Sequence, residues 1–382
     1  MKIVIRGVRS QSGFGVATIG LILLTYEAGH DVRFIPVDTL GKQDTIGINT
    51  DVLKFLNSIT ITEDDPFIKD SMFIEIGSLS YGYYCQRPKI VDKYILYTTT
   101  ETTTINIAYV ELFNSKFDEI WTASKFNRSG FFASGIIIPV HVLPHYVDTE
   151  KFNPNLKPYK IKNKRSFNFV VNIDFSYRKG LHLLIPAWMK AFKKQDDISL
   201  ILKISDGDFT DPVKPIKSLN DLLFKLDYNR DNYAPILVMS SMIDGQYMPN
   251  LYTTGNIYLA PTLGEGFGYP IAEAMACGIP PVVSNCSAPN EYVTSKEGFL
   301  VHMNEKNPIQ PITDESLLIR DANYKGRFLY NISVESLSEQ LLRSCSTSIP
   351  DLKIMGDNAR QAIIDKFSIK PLTKTLNTLL GE

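Results

Sequence analysis

Twice along its 382 residues the chain alternates short β-branched or apolar runs with longer helix-like segments, and no other feature limits its fold as strongly. From Met1 to about Asp148 the runs are KIVIRG, DVRFIPV, MFIEIG, KYILYTTT, DEIWTAS and VHVLPH. From about Phe167 the pattern returns as FNFVVNI, SLILKI, ILVMSS, NIYLAP, PPVVS and GFLVH. Strands separated by helical patterns imply a parallel sheet with crossover helices. The expectation is an α/β protein of two Rossmann-like halves, which suits a length beyond what one hydrophobic core usually organises.

The stretch 153-NPNLKPYKIKNKR-165 is polar, bears proline and reads as a connector. The expected organisation is an N-terminal domain over 1–152, a linker over 153–166, a C-terminal domain over 167–355 and a helical tail over 356–382. That tail is expected to break near Pro371 and to pack back on the N-terminal domain. With 40 Lys and Arg against 41 Asp and Glu, the chain has no overall attraction for nucleic acid, so any anion must be held locally. Lys157, Lys160, Lys162, Lys164 and Arg165 read as a solvated connector that also allows peripheral membrane contact. No apolar run approaches the ~18 residues of a membrane span. Cys85, Cys277, Cys286 and Cys345 are scattered without C-x-x-C spacing, which points away from zinc and disulfides and toward a reducing, cytoplasmic setting. The N-terminus lacks the pattern of a signal peptide.

The densest local signal is 261-PTLGEGFGYPIAEAMACGIPPVV-283. Pro270 suits the first turn of a helix over about 270–277, and Gly278 suits its C-terminal cap. Gly264, Gly266 and Gly268 let the backbone approach a ligand, and amides at the helix start favour an anion such as phosphate. Glu265 projects from the turn and Glu273 lies in the first helical turn, where both could accept hydrogen bonds from hydroxyls. A ligand carrying both features is a nucleotide sugar. The bland alternative is a tight strand-to-helix turn, with Glu273 complementing the helix dipole.

The segment E-G-F-G-Y-P-I-A-E-A-M-A-C-G resembles the signature of the retaining GT-B glycosyltransferases of family 4, the glycosyl transferases group 1. The resemblance implies two Rossmann-like domains facing across a cleft, with the acceptor mostly on the N-terminal domain and the nucleotide-sugar donor mostly on the C-terminal one. It implies that Glu265 hydrogen-bonds the donor hexose and Glu273 holds the ribose. The backbone around Gly266, Phe267, Gly268, Tyr269 and Pro270 would meet the sugar and diphosphate. Lys179, in 174-DFSYRKG-180, resembles the lysine of the family's K-G pair. The arginine usual six residues earlier is replaced by Ile173, and Arg178 stands as its substitute. Both cations would stabilise a departing diphosphate.

In the N-terminal half, Gly13 and Gly15 sit at a strand-to-helix turn that in the family borders the diphosphate and acceptor. Tyr146 replaces the glycine of the family's P-x-G-V-D motif, here P-H-Y-V-D. Glu101 and His145 at strand ends are acceptor-side candidates. Ser124 is a third, although it equally suits a helix N-cap. Trp121, Phe126, Phe131 and Phe132 are expected in the core. His30, His141, His182 and His302 show no metal-ligand spacing.

The expected reaction moves a hexose to a hydroxyl of a glycan, glycolipid or glycoprotein by front-face substitution, with no metal and no cofactor beyond the donor. Two rivals stand beside it. One is a non-catalytic sugar-nucleotide-binding protein on the same fold. The other is an NAD-dependent oxidoreductase using Gly13, Gly15 and Asp38, which leaves the Glu265 to Glu273 segment unexplained.

Overall fold

A computed structural model describes residues 1–10, 12–37, 48–205, 211–312, 324 and 327–381. The chain divides into two compact units. One is Met1–Asp148 with Asp321–Phe328 and Asp365–Glu382; the other is Thr149–Arg320 with Leu329–Ile364.

The first unit is built on β1 (Lys2–Gly7), β2 (Asp31–Pro36), β3 (Met72–Ile76), β4 (Lys93–Tyr97), β5 (Glu119–Thr122) and β6 (Val140–Val142). All pair in parallel, in the order β2-β1-β3-β4-β5-β6. Ile3, Val4, Ile5 and Tyr94, Ile95, Leu96 are wholly buried, because crossover helices cover both faces, and so the strands read as unbroken apolar runs. The helices between them are α1 (Gly13–Glu27), α2 (Thr50–Ser58), α3 (Leu79–Tyr84), α4 (Ile107–Lys116) and α5 (Lys125–Ser134). Strand order reverses between β1 and β3, which makes the carboxyl end of β1 a natural ligand position.

The helix Ile369–Leu380 belongs to this unit and packs on α1, burying Leu372 and Leu376 and setting Asn377 Oδ1 3.3 Å from His30 Nε2. The break before it falls at Ser368, not near Pro371. Pro371 occupies the first turn of the new helix, where its missing N–H has no intrahelical partner to lose. Trp121 and Phe131 are buried and Phe126 is half-buried, but Phe132 is 46% exposed on the outer side of α5, with the Arg128 guanidinium over its ring.

The second unit carries β7 (Phe167–Asp174), β8 (Ile198–Ser205), β9 (Ile236–Met239), β10 (Ile257–Ala260), β11 (Pro281–Ser284) and β12 (Phe299–Val301), in the order β12-β11-β10-β7-β8-β9. Its helices include α6 (Leu181–Ala191), α7 (Lys214–Lys225), α8 (Met248–Tyr252) and α9 (Tyr269–Ala276). This is the doubly wound order, and its direction reverses between β7 and β10. Residues 153–166 form neither helix nor strand, and the Tyr159 N–H donates to Asn250 O and Thr254 Oγ1 of this unit.

Candidate functional site

The turns leaving β7 and β10 interlock at the point of reversal. Gly180, with φ +73°, is obligatory there, because a Cβ would stand 1.9 Å from Pro261 O. The Leu263 N–H donates to Arg178 O at 2.7 Å, and Arg178 Nη1 returns a hydrogen bond to Gly264 O at 2.7 Å. The short 3₁₀ turn Tyr177–Lys179 is thereby held against the glycine turn, and its two cations converge on one carboxylate. Lys179 Nζ lies 2.7 Å and Arg178 Nη1 3.0 Å from Glu265 Oε1. Glu265 is only 8% exposed. Burial alone would raise its carboxyl, but Lys179 and then Arg178 outweigh burial and hold it below the ordinary value. Asp174 lies farther off, 3.9 Å from Lys179 Nζ. Ile173, where the family usually has arginine, is buried in β7, and the Arg178 guanidinium reaches the turn instead.

Ser287 fixes the backbone of Glu265 and was not foreseen from sequence. Its Oγ accepts the Glu265 N–H at 3.0 Å, while the next N–H, of Ala288, donates to Glu265 O at 3.2 Å. Ser287 holds φ 56° and ψ −155°, a region almost reserved for glycine, and such strain concentrates at functional positions. Tyr292 Oη supports the turn from below, donating to Phe267 O at 2.7 Å.

Gly268, with φ +88°, starts α9 at Tyr269, one residue earlier than the sequence suggests, and Cys277 takes the C-terminal cap ahead of Gly278 with φ +74°. Two readings change with that shift. Glu273 is the fifth helical residue and lies beyond the first turn. Pro270 has no N–H to offer an anion, and the N–H groups of Ile271 and Ala272 already donate to Gly268 O. Glu273 Oε2 instead accepts from Tyr252 Oη at 2.6 Å, and Tyr252 Oη accepts from Asn172 Nδ2 at 3.4 Å. Burial pushes the Glu273 carboxyl up to about 7, against the opposing pull of Tyr252 and Lys151. The structure thus brings Glu265, Arg178 and Lys179 into direct contact, with Gly266 to Pro270 leading from that cluster into the helix that carries Glu273.

The remaining candidates lie in the first unit. Gly13 opens α1 behind the N-cap Ser12, and the Gly15 N–H donates to Ser12 Oγ at 3.2 Å. Gly15 is needed for close approach, since a Cβ would stand 1.8 Å from Ser10 O. Ser124 is buried and N-caps α5, its Oγ accepting the Asn127 N–H at 3.2 Å. Glu101 is half-buried in the bend after β4 and accepts from Tyr324 Oη at 3.4 Å. Tyr97 Oη spends its proton on Leu143 O at 2.6 Å, so His145 Nδ1, 2.9 Å away, must be the donor to it. Burial pushes His145 down to about 3, so the ring is neutral. Tyr146 keeps a negative φ, and its ring packs over Gly20 of α1, so this motif runs without a left-handed residue. Asp38 lies outside the described residues. Among the described residues no group of three His, Cys, Asp or Glu side chains could hold a metal, and no helix is long and apolar enough to cross a membrane.

Residues 164–311 match the family model described as glycosyl transferases group 1. Curated relatives include the Escherichia coli UDP-Gal:α-D-GlcNAc-diphosphoundecaprenol α-1,3-galactosyltransferase, 24% identical over 51% of each chain. The MMP α-(1→4)-mannosyltransferase of Mycolicibacterium hassiacum is 24% identical over 46% of this chain and 39% of its own. The matched region thus spans about half or less of these relatives' length. Among solved structures, Anabaena HepE in complex with UDP-glucose aligns at TM-score 0.66 and 15% identity, covering 100% of this chain and 99% of that one. The sucrose-phosphate synthase of Thermosynechococcus elongatus aligns at 0.69 and 14%, covering 99% and 98%. The chain has the GT-B fold, and its residues 164–311 are similar to the group 1 glycosyltransferases.

Proposed function

We propose that the protein transfers a hexose from a nucleoside diphosphate sugar to an acceptor hydroxyl, with retention at the anomeric carbon. The observation that carries this reading is the buried cluster in which two cations, Arg178 and Lys179, meet the single carboxylate of Glu265 at the switch point between β7 and β10. A diphosphate placed there would take over part of the cations' hydrogen bonding, freeing Glu265 Oε1 to accept from hexose hydroxyls. Glu273 is assigned to the ribose, and the backbone from Gly266 to Tyr269 to the sugar and diphosphate. The relatives favour such a donor, since one is named for UDP-Gal and HepE was solved with UDP-glucose.

In the reaction so assigned, the bond from the anomeric carbon to the diphosphate oxygen breaks while the acceptor oxygen bonds to the same face of the sugar. The leaving diphosphate oxygen takes the acceptor's proton. Arg178 and Lys179 neutralise the growing negative charge, so catalysis is electrostatic and positional, with no metal and no cofactor assigned a step. Gly13 and Gly15 are assigned to the donor, and Glu101, Ser124 and His145 to an acceptor that is a glycan, glycolipid or glycoprotein. A cytoplasmic setting completes the reading, and the unpaired Cys85, Cys277, Cys286 and Cys345 favour it.

The test incubates the protein in EDTA with UDP-, GDP- and ADP-hexoses, following nucleoside diphosphate release and the anomeric configuration of the product by NMR. Release from at least one donor with its configuration kept, falling about a hundredfold or more in Glu265→Ala, is the expected outcome. No release from any donor, or equal release by Glu265→Ala, would overturn the reading; the first result favours a non-catalytic sugar-nucleotide-binding protein.

A further inference from the structure

Lys203, in β8, is only 4% exposed, yet no carboxylate among the described residues pairs with it. Among the described residues its Nζ has one partner, the carbonyl of the adjacent Ile204 at 3.4 Å. An ammonium with three donors and one long hydrogen bond is costly to bury, and burial pushes its pKa below the ordinary lysine value. Methionine or leucine would fill such a core position more cheaply, so a ligand that accepts its hydrogen bonds is the natural reason for a lysine there.

Sheet register shows where such a ligand would lie. Lys203 pairs with Asn172 of β7 on one side and Met239 of β9 on the other, and residues in register across parallel strands point to the same face. The Asn172 amide donates to Tyr252 Oη, and Tyr252 Oη donates to Glu273. Lys203 therefore continues a row that starts at Glu273, one strand beyond Asn172, or about 4.8 Å farther across the sheet. It stands near the carboxyl end of its strand, where ligands of doubly wound sheets bind. If Glu273 holds the ribose, as proposed above, the group attached to that ribose and lying one strand farther is the base.

We propose that Lys203 reads the nucleobase of the donor, its Nζ donating to the carbonyl oxygen at C4 of a pyrimidine or C6 of a purine. The site then takes a base with an oxo group at that position, uracil or guanine, and rejects cytosine and adenine, which carry an exocyclic amine there. A lysine has only donors, so an exocyclic amine placed against it leaves both groups unpaired. This rests on the nucleotide-sugar reading, and the test separates the two.

The experiment is calorimetric titration of the full chain with UDP, CDP, GDP, ADP and inorganic pyrophosphate, repeated on Lys203→Met. The wild type is expected to bind UDP more tightly than CDP, or GDP more tightly than ADP, by about tenfold or more. Lys203→Met should abolish that preference and leave pyrophosphate affinity unchanged. Equal binding of oxo and amino bases by the wild type overturns the inference, a result that stands even if the variant does not fold. A preference kept in Lys203→Met, or pyrophosphate affinity lost along with that for nucleotides, also overturns it. Failure of every nucleotide to bind the wild type overturns the function proposed above as well, whereas the other negative outcomes leave that function standing.

Discussion

Each unit buries a glutamate against arginine, and the two clusters are built to different ends. In the first unit Glu75 of β3 is 0% exposed and meets Arg6 of β1 through both oxygens, with Tyr81 Oη at 2.9 Å and Tyr94 Oη at 2.8 Å. Glu75 faces the buried Arg6, whose Nη1 also donates to the exposed Glu63 at 3.0 Å, and hydroxyls satisfy the remaining lone pairs of Glu75. Burial works against the Arg6 charge and Glu75 overrules it, holding the guanidinium above its ordinary value. In the second unit Glu265 faces two cations, and Asp174 lies 3.9 Å from Lys179 Nζ. Balance inside strands is what a core needs. Two cations converging in a turn at a switch point are what an anionic ligand needs.

Glu75→Ala should produce the largest change, because it leaves Arg6 only the exposed Glu63 as a partner and strands two buried tyrosine hydroxyls. Urea unfolding should register a loss of about 3–5 kcal/mol; a loss below about 1 kcal/mol would mean that this cluster is as expendable as a surface pair. Lys179→Met should invert the pattern, lowering affinity for a nucleoside diphosphate about tenfold or more while stability moves by about 1 kcal/mol or less, since Glu265 keeps Arg178. A large stability loss with unchanged affinity would make the second cluster structural as well.

A pH-dependent effect is expected at Glu273, whose folded pKa of about 7 stands above its ordinary 4.5. Folding therefore favours the protonated carboxyl. Its contribution is fully present below 4.5 and is lost as pH rises through about 7, a change on the order of 3 kcal/mol. Thermal melts across that window should show the wild type losing stability relative to Glu273→Gln. Parallel profiles would show that Tyr252 and Lys151 offset the burial of the carboxyl in full.

The twelve strands of the two six-stranded sheets were legible because parallel strands covered on both faces carry continuous apolar runs such as KIVIRG and FNFVVNI. The glycine turn and its two glutamates were legible because a left-handed glycine at 268 and a proline at 270 punctuate the chain locally. What escaped is pairing over distance. Arg6 and Glu75 meet only because β1 and β3 are neighbours in register, and Ser287 reaches Glu265 from 22 residues away. The contact of Tyr252 with Glu273 and the burial of Lys203 depend likewise on which face each strand or helix presents. Phe132 was misplaced because aromatic character predicts burial only on average, and this ring falls on the outward side of α5.

The most direct test of the central claim, that the cluster of Glu265, Arg178 and Lys179 is a diphosphate site, is a titration in EDTA with UDP, GDP, ADP and NADH, comparing the wild type with Lys179→Met. The account predicts that at least one nucleoside diphosphate binds the wild type without metal, and binds Lys179→Met about tenfold or more weakly. Selective binding of NADH, silence toward all four, or equal affinity in the variant would contradict it.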